Sequence, residues 1–177
     1  MQKREKTSKI EKIQLSPILS ELAIAAGSTT DKHNFVLDMA PDLNEVFIDR
    51  NKFSQILVNL LNNAIKYSPK GGRITLSARN DSAENRVIVS VADEGLGIGP
   101  ADKDSLFQTF HRIQRQETIS IRGIGLGLYI VKEWTEAMGG KVWLESELNK
   151  GSTFFVALPT RLQEKASSAC QVSEGKK

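Results

Sequence analysis

The sequence predicts an α+β fold, a two-layer sandwich in which a mostly antiparallel sheet is covered on one face by helices. Two observations carry this. Runs with period-two alternation come as hairpins joined by turn residues, and long segments with apolar residues at helical spacing are interspersed among them. The first dozen residues are highly charged, and Ile10, Ile13 and Leu15 are spaced like the end of a helix or a linker. Ser16-Pro17 reads as a helix N-cap followed by proline in the first turn, opening a helix over 18–26 that is apolar on one face. Phe35-Val-Leu-Asp-Met39 reads as a strand, Pro41-Asp42 as a turn, and Val46-Phe-Ile48 as a short extended entry to a second, longer helix. Strands over 74–79 and 86–93 flank the turn-rich 80–85. A further helix spans 127–138, and a second hairpin joins 141–146 to 153–158 through Asn149-Lys-Gly151. No internal repeat is visible. The expected division is a helix end or linker over 1–14, one domain over 15–161, and a disordered tail over 162–177 that lacks apolar periodicity.

Composition narrows the class. The chain has 177 residues, 40% hydrophobic and 25% charged, enough for one domain with a substantial core and cramped for two. A net charge of +3, with basic residues scattered among acidic ones, gives no case for nucleic acid as a partner. Cys170 is the single cysteine, so no intrachain disulfide can form, which suits a reducing compartment. No apolar run approaches the roughly 18 to 20 residues that span a bilayer, and the charged start lacks the apolar core of a secretion signal. The expectation is a soluble, cytoplasmic domain whose parent protein can still be membrane-anchored.

The chemistry is concentrated in two glycine signatures, Asp93-Glu-Gly-Leu-Gly-Ile-Gly99 and Gly123-Ile-Gly-Leu-Gly-Leu128, preceded by the helical Asn59-Leu-Leu-Asn-Asn-Ala-Ile-Lys-Tyr67. Glycines let backbone amides approach a ligand and adopt positive φ, and a helix opening after them turns its unpaired N–H groups toward phosphate. At about 100° per residue, Asn59, Asn63, Lys66 and Tyr67 share one arc of their helix, while Phe53, Leu57, Leu60, Leu61 and Ala64 centre on another. Amides suit a hard cation beside a polyphosphate, because they coordinate through oxygen without adding negative charge.

In this order the segments resemble the N box, first G box, F box (106–112) and second G box of the ATP-binding catalytic domain of sensor histidine kinases. That family belongs with gyrase, heat-shock chaperones and mismatch-repair ATPases. The resemblance covers about 15–159 and implies the Bergerat-type ATP-binding fold, with ATP and Mg2+ as ligands. It implies Asn63 as the magnesium ligand, Asn59 as support for metal and phosphates, and Lys66 and Tyr67 on the phosphate and ribose side. Asp93 would accept a hydrogen bond from the exocyclic amine of adenine. Guanine offers an oxygen there instead, and a buried carboxylate facing an acceptor costs about 1–3 kcal/mol. The resemblance also sets Ser152 beside Asp93. Gly95, Gly97 and Ile98 line the first glycine loop, and Gly123, Gly125, Leu126, Gly127 and Leu128 the second. Leu106, Phe107 and Phe110 would anchor a mobile lid over 111–122, with Arg112 foremost among its basic residues in reaching phosphate. Ile124 departs from the pattern, since the family often has a hydroxyl or amide side chain there.

Hydrolases of the wider superfamily carry a water-activating glutamate one helical turn before the metal asparagine, where this chain has Asn59. An amide cannot act as a base at neutral pH, so transfer to a partner is expected rather than hydrolysis. Neither His33 nor His111 sits in a phosphoacceptor context. The resemblance therefore implies a monomeric catalytic half, with no catalytic side chain of its own, that presents ATP to a histidine on the separate dimerisation and phosphotransfer domain of a homodimeric kinase. A response regulator would be the next acceptor. Two other readings stay open: an anti-sigma-type serine kinase, against which Lys66-Tyr67-Ser68 and Lys150-Gly-Ser-Thr-Phe154 speak, and an inert nucleotide-sensing module, against which the intact Asn63, Asp93 and glycine set speaks.

Overall fold

A computed structural model of the chain describes residues 9–103, 105–109 and 125–162. In chain order the elements are β1 (Glu11–Ile13), α1 (Leu15–Gly27), β2 (His33–Met39), β3 (Val46–Ile48), α2 (Arg50–Lys66), β4 (Gly72–Asp81) and β5 (Arg86–Asp93). After them come the one-turn α3 (Pro100–Lys103), then α4 (Gly127–Ala137), β6 (Lys141–Glu147) and β7 (Gly151–Pro159). Five strands form one sheet in the order β2-β4-β5-β7-β6, and β1 pairs with β3 in a separate ribbon. All pairs in the large sheet are antiparallel except β2 with β4. The parallel pair follows from connectivity, because the chain between β2 and β4 must cross over and carries α2 as it does so.

The register explains which face is covered. Leu76, Val91, Phe154 and Leu144 lie on one rung, and Ala78, Val89, Val156 and Val142 on the next. Alternation points these rows at the helices, where they meet Phe53, Ile56, Leu57, Leu60, Leu61 and Ala64 of α2, Val131 of α4, and Leu15, Ile18 and Leu19 of α1. On the opposite face, Trp143 and Phe155 stack with centroids 5.0 Å apart. The two-layer expectation holds, with helices on one side of a mostly antiparallel sheet.

Two local expectations are corrected. Residues 11–13 are neither a helix end nor a linker but a strand, held by pairing with Val46–Ile48, a long-range partner invisible in a three-residue run. The first helix starts at Leu15 with Gln14 as its N-cap, so Ser16 lies inside the first turn. Leu15 is fully buried, and burying it draws the helix start two residues back; Pro17 is tolerated because N–H groups of the first turn have no intrahelical partner.

Helix α2, which carries the first group of polar site residues, has a well-made start. The Asp49 carboxylate accepts hydrogen bonds from the N–H groups of Asn51 (3.0 Å) and Lys52 (3.2 Å), and its other oxygen accepts from the Lys9 N–H (3.1 Å). Asp49→Ala is expected to lower unfolding stability by about 1–2 kcal/mol, the usual worth of such a cap, as read by urea denaturation.

Candidate functional site

Alternation along β5 sets the site. Val87, Val89 and Val91 face the helices, so Asp93, two residues on, is delivered to the same face at the end of the strand, opposite Ile74 on one side and Ser152 on the other. Asp93 is buried, and its Oδ1 accepts the Gly95 N–H at 2.8 Å. Burial pushes the carboxyl pKa above the usual carboxylate value, opposed by the N–H groups of Gly95 and Ser152 and by the neighbouring Ser68 hydroxyl.

The loop after Asp93 is tied down at Leu96 by two backbone hydrogen bonds. The Leu96 N–H donates to the Tyr67 carbonyl (2.9 Å), and the Leu96 carbonyl accepts from the Asn149 N–H (2.8 Å). The loop is thereby clamped between the end of α2 and the β6–β7 turn. Such closeness requires glycine: a Cβ on Gly95 would lie 2.3 Å from the Tyr67 carbonyl oxygen, and one on Gly97, where φ is +62°, would lie 2.0 Å from that of Glu147. The buried Ile98 donates its N–H to Ser146 Oγ at 2.8 Å. Ser146 Oγ also lies 2.8 Å from the Gly151 carbonyl and 2.9 Å from Ser152 Oγ. A hydroxyl has one proton; with that of Ser146 spent on Gly151, Ser152 is the donor in the pair and keeps its own lone pairs beside Asp93.

On α2, Asn59, Asn63, Lys66 and Tyr67 are all half-buried along one face, with the Lys66 ammonium 5.2 Å from the centre of the Tyr67 ring. The start of α4 approaches this face, since a Cβ on Gly127 would lie 3.6 Å from Asn59 Oδ1. Gly125 just before it has φ +77°, and Leu126 at the N-cap makes no side-chain cap, so the leading N–H groups of α4 are not covered by a side chain of their own helix. Leu128 and Phe107 pack against the core, the latter beside buried Leu106. The geometry thus gathers Asp93, Gly95, Gly97, Ile98 and Ser152 at one end and Asn59, Asn63, Gly125, Leu126 and Gly127 at the other, with Tyr67 and Lys66 between. Arg112, Gly123 and the whole of the expected lid, with Phe110, Ile124 and the tail after 162, lie outside the described residues.

Two residues that build the site were not singled out from the sequence. Ser146 on β6 holds the first glycine loop at Ile98, 48 residues away, and nothing local signals that. Ser68 follows Tyr67 directly and is buried, so its place in Lys66-Tyr67-Ser68 was the available signal. His33, set aside above as a phosphoacceptor, is engaged in structure: its Nε2 lies 2.9 Å from the Ser68 carbonyl and its Nδ1 3.1 Å from Thr30 Oγ1.

A family described as histidine kinase-, DNA gyrase B-, and HSP90-like ATPase matches residues 48–162. The sensor histidine kinase WalK of Bacillus subtilis strain 168 is 36% identical over 155 residues, which is 87% of this chain and 25% of that protein. The adaptive-response sensory kinase SasA of Synechococcus sp. strain JA-2-3B'a(2-13) is 41% identical over 125 residues, 71% of this chain and 32% of that protein. The chain therefore spans about a quarter to a third of the length of these curated relatives. Among solved structures, the nucleotide-free catalytic domain of the histidine kinase ThkA superposes with TM-score 0.73 at 26% identity, covering 86% of this chain and 96% of the other. Full-length ShkA in complex with AMPPNP gives 0.73 at 27% identity, covering 85% and 31%.

Proposed function

The chain belongs to the histidine kinase-, DNA gyrase B- and HSP90-like ATPase family, and from that premise we propose that it binds Mg-ATP and presents the γ-phosphate to a histidine on a separate dimerisation domain of a two-component sensor kinase. The observation that carries this reading is that the polar face of α2 has the buried Asp93 carboxyl, whose loop is tied to Tyr67, at one end and the uncapped start of α4, beside Asn59, at the other. One end suits an adenine amine and the other an anionic phosphate chain.

In this reading Asp93 accepts the exocyclic amine of adenine, and Ser152 offers a second polar contact at the base. Tyr67 and Lys66 flank the ribose and phosphates, and the glycine-loop N–H groups receive phosphate oxygens. Asn63 presents a neutral amide oxygen from a half-buried helix face and would hold magnesium, a cation that tolerates few protein ligands because it keeps waters and phosphate oxygens. When bound, magnesium neutralises phosphate charge. The chain's own contribution is positional and electrostatic. The partner's imidazole nitrogen forms a bond to the γ-phosphorus as the bond to the bridging oxygen breaks and ADP leaves. Asn59 offers no base to activate water, which disfavours hydrolysis. An arginine-bearing lid over 111–122, led by Arg112, would close over the phosphates, and a response-regulator aspartate would take the phosphoryl group onward. Relatives that are sensor kinases favour this over the serine-kinase and inert-module readings.

Incubation with labelled ATP and magnesium tests the proposal. The chain alone is expected to take up no label and to turn over little ATP, whereas an added helical dimerisation domain bearing an acceptor histidine should acquire acid-labile, base-stable label. Acid-stable label on a serine would indicate the serine-kinase reading, and steady release of phosphate by the chain alone would overturn transfer as its task.

A further inference from the structure

Ser68 combines three properties that a structural serine has no reason to share. It is only 2% exposed, and its Oγ is buried with no partner in hydrogen-bonding geometry among the described residues. It also lies near the adenine-side carboxyl: the point where a Cβ on Gly95 would sit is 2.6 Å from Ser68 Oγ and 2.7 Å from Asp93 Oδ1. For stability alone alanine would serve better, since a buried unpaired hydroxyl costs about 1–3 kcal/mol and removing it leaves nothing unsatisfied.

The backbone of Ser68 is fixed with care. Its carbonyl accepts the Gly71 N–H at 2.9 Å and faces His33 Nε2 at 2.9 Å. Thr30 Oγ1 accepts the Lys32 N–H at 3.2 Å, so its own proton is available to His33 Nδ1, and the ring then donates from Nε2 to the Ser68 carbonyl. A residue pinned at its carbonyl from two sides, with its hydroxyl held beside a carboxylate, is placed to orient that carboxylate.

We propose that Ser68 is a positioning residue for Asp93: its hydroxyl donates to the carboxylate once a base is bound, aiming the free oxygen at the exocyclic amine of adenine, while His33 holds Ser68 in register. The proposal rests on the assignment of Asp93 to adenine. The hydroxyl favours the ionised carboxyl and has no hydrogen-bond partner among the described residues, so its proton is available to Asp93. The other charged groups nearby are engaged elsewhere. Glu94 accepts the Arg73 N–H at 2.9 Å and lies 4.0 Å from its guanidinium, Lys66 sits over Tyr67, and Glu147 pairs with Lys150 at 2.6 Å.

The test uses the full 177-residue chain and the variants Ser68→Ala, Ser68→Cys and Asp93→Asn. Calorimetry should show Ser68→Ala weakening ATP about tenfold, the worth of one hydrogen bond to a charged group, with Ser68→Cys intermediate. In the Asp93→Asn background Ser68→Ala should add little. Carbon-13 titration of the Asp93 carboxyl in nucleotide-free protein should move to higher pH in Ser68→Ala, with thermal stability unchanged or raised. Unchanged affinity and unchanged titration in both Ser68 variants overturn the proposal, as does weaker binding that tracks lost thermal stability. If Asp93→Asn leaves ATP affinity intact, the adenine assignment fails, while the carboxyl titration still decides whether Ser68 acts on Asp93.

Discussion

Replacing Asp93 by asparagine will cost this chain about a hundredfold in ATP affinity and most of its preference for ATP over GTP, while leaving the empty protein more stable. The first effect is the loss of a buried, charge-assisted hydrogen bond to the base amine, worth on the order of 1.5–3 kcal/mol. Preference falls with it, because an amide can turn either a donor or an acceptor toward the base, whereas an ionised carboxylate offers only acceptors. The stability gain follows from linkage. Burial raises the Asp93 pKa in the folded chain, so the native state binds more protons than the unfolded one between the ordinary carboxylate value and the raised one. The contribution of Asp93 to stability is therefore fully present below its unfolded pKa and is lost as pH rises through the folded one. At neutral pH the ionised group is a net burden, which asparagine removes. Calorimetry with ATP and GTP, together with thermal melts at pH 7, checks both halves. Intact discrimination in the variant would refute the base assignment, and a lowered melting temperature would refute the account of burial.

The second large effect is expected at Gly151. Its φ is +105°, and an added Cβ would lie 1.9 Å from the Asp93 carbonyl oxygen, a backbone atom in the adjoining strand that cannot swing aside. Gly151→Ala should cost about 3 kcal/mol or more, from left-handed backbone strain together with a clash that forces β5 and β7 apart. The damage is aimed at the site, because the next residue, Ser152, pairs with Asp93. Urea denaturation should show the loss of stability. ATP affinity should fall further than in a variant of equal instability on the far side of the sheet, for instance at the Trp143–Phe155 stack.

What the sequence made legible divides along the distance over which each signal acts. Helix α2 was readable on both faces: Phe53, Leu57, Leu60, Leu61 and Ala64 are buried as their spacing implied, and Asn59, Asn63, Lys66 and Tyr67 share a half-buried face. The alternation Val87, Val89, Val91 likewise delivered Asp93 to the interior. Strand β1 was misread because three residues carry no period, and only the ribbon partner Val46–Ile48 makes them extended. The helix start was misplaced by two residues, because burial of Leu15 outweighed a good local cap signal at Ser16. Ser146 and His33 were hidden for a similar reason, since each acts on a segment tens of residues away. The segment holding Arg112 and Gly123 lies outside the described residues, so the lid remains a proposal carried by the resemblance.

The division of the base-side residues among separate pieces of chain has a bearing on how the protein comes into being. Asp93 ends the hairpin of β4 and β5, Ser152 lies at the start of the second strand of the hairpin of β6 and β7, and Ser68 follows the C-cap of α2. Each hairpin can form early from neighbours in sequence, but joining β5 to β7 closes a loop of more than fifty residues and must come later, after that entropy has been met. A chain still emerging from the ribosome can therefore hold helix, hairpin and glycine loop and yet have no place for a nucleotide. The ligand stabilises only the finished product, so that in the cell a bound nucleotide marks a domain whose last strand has docked.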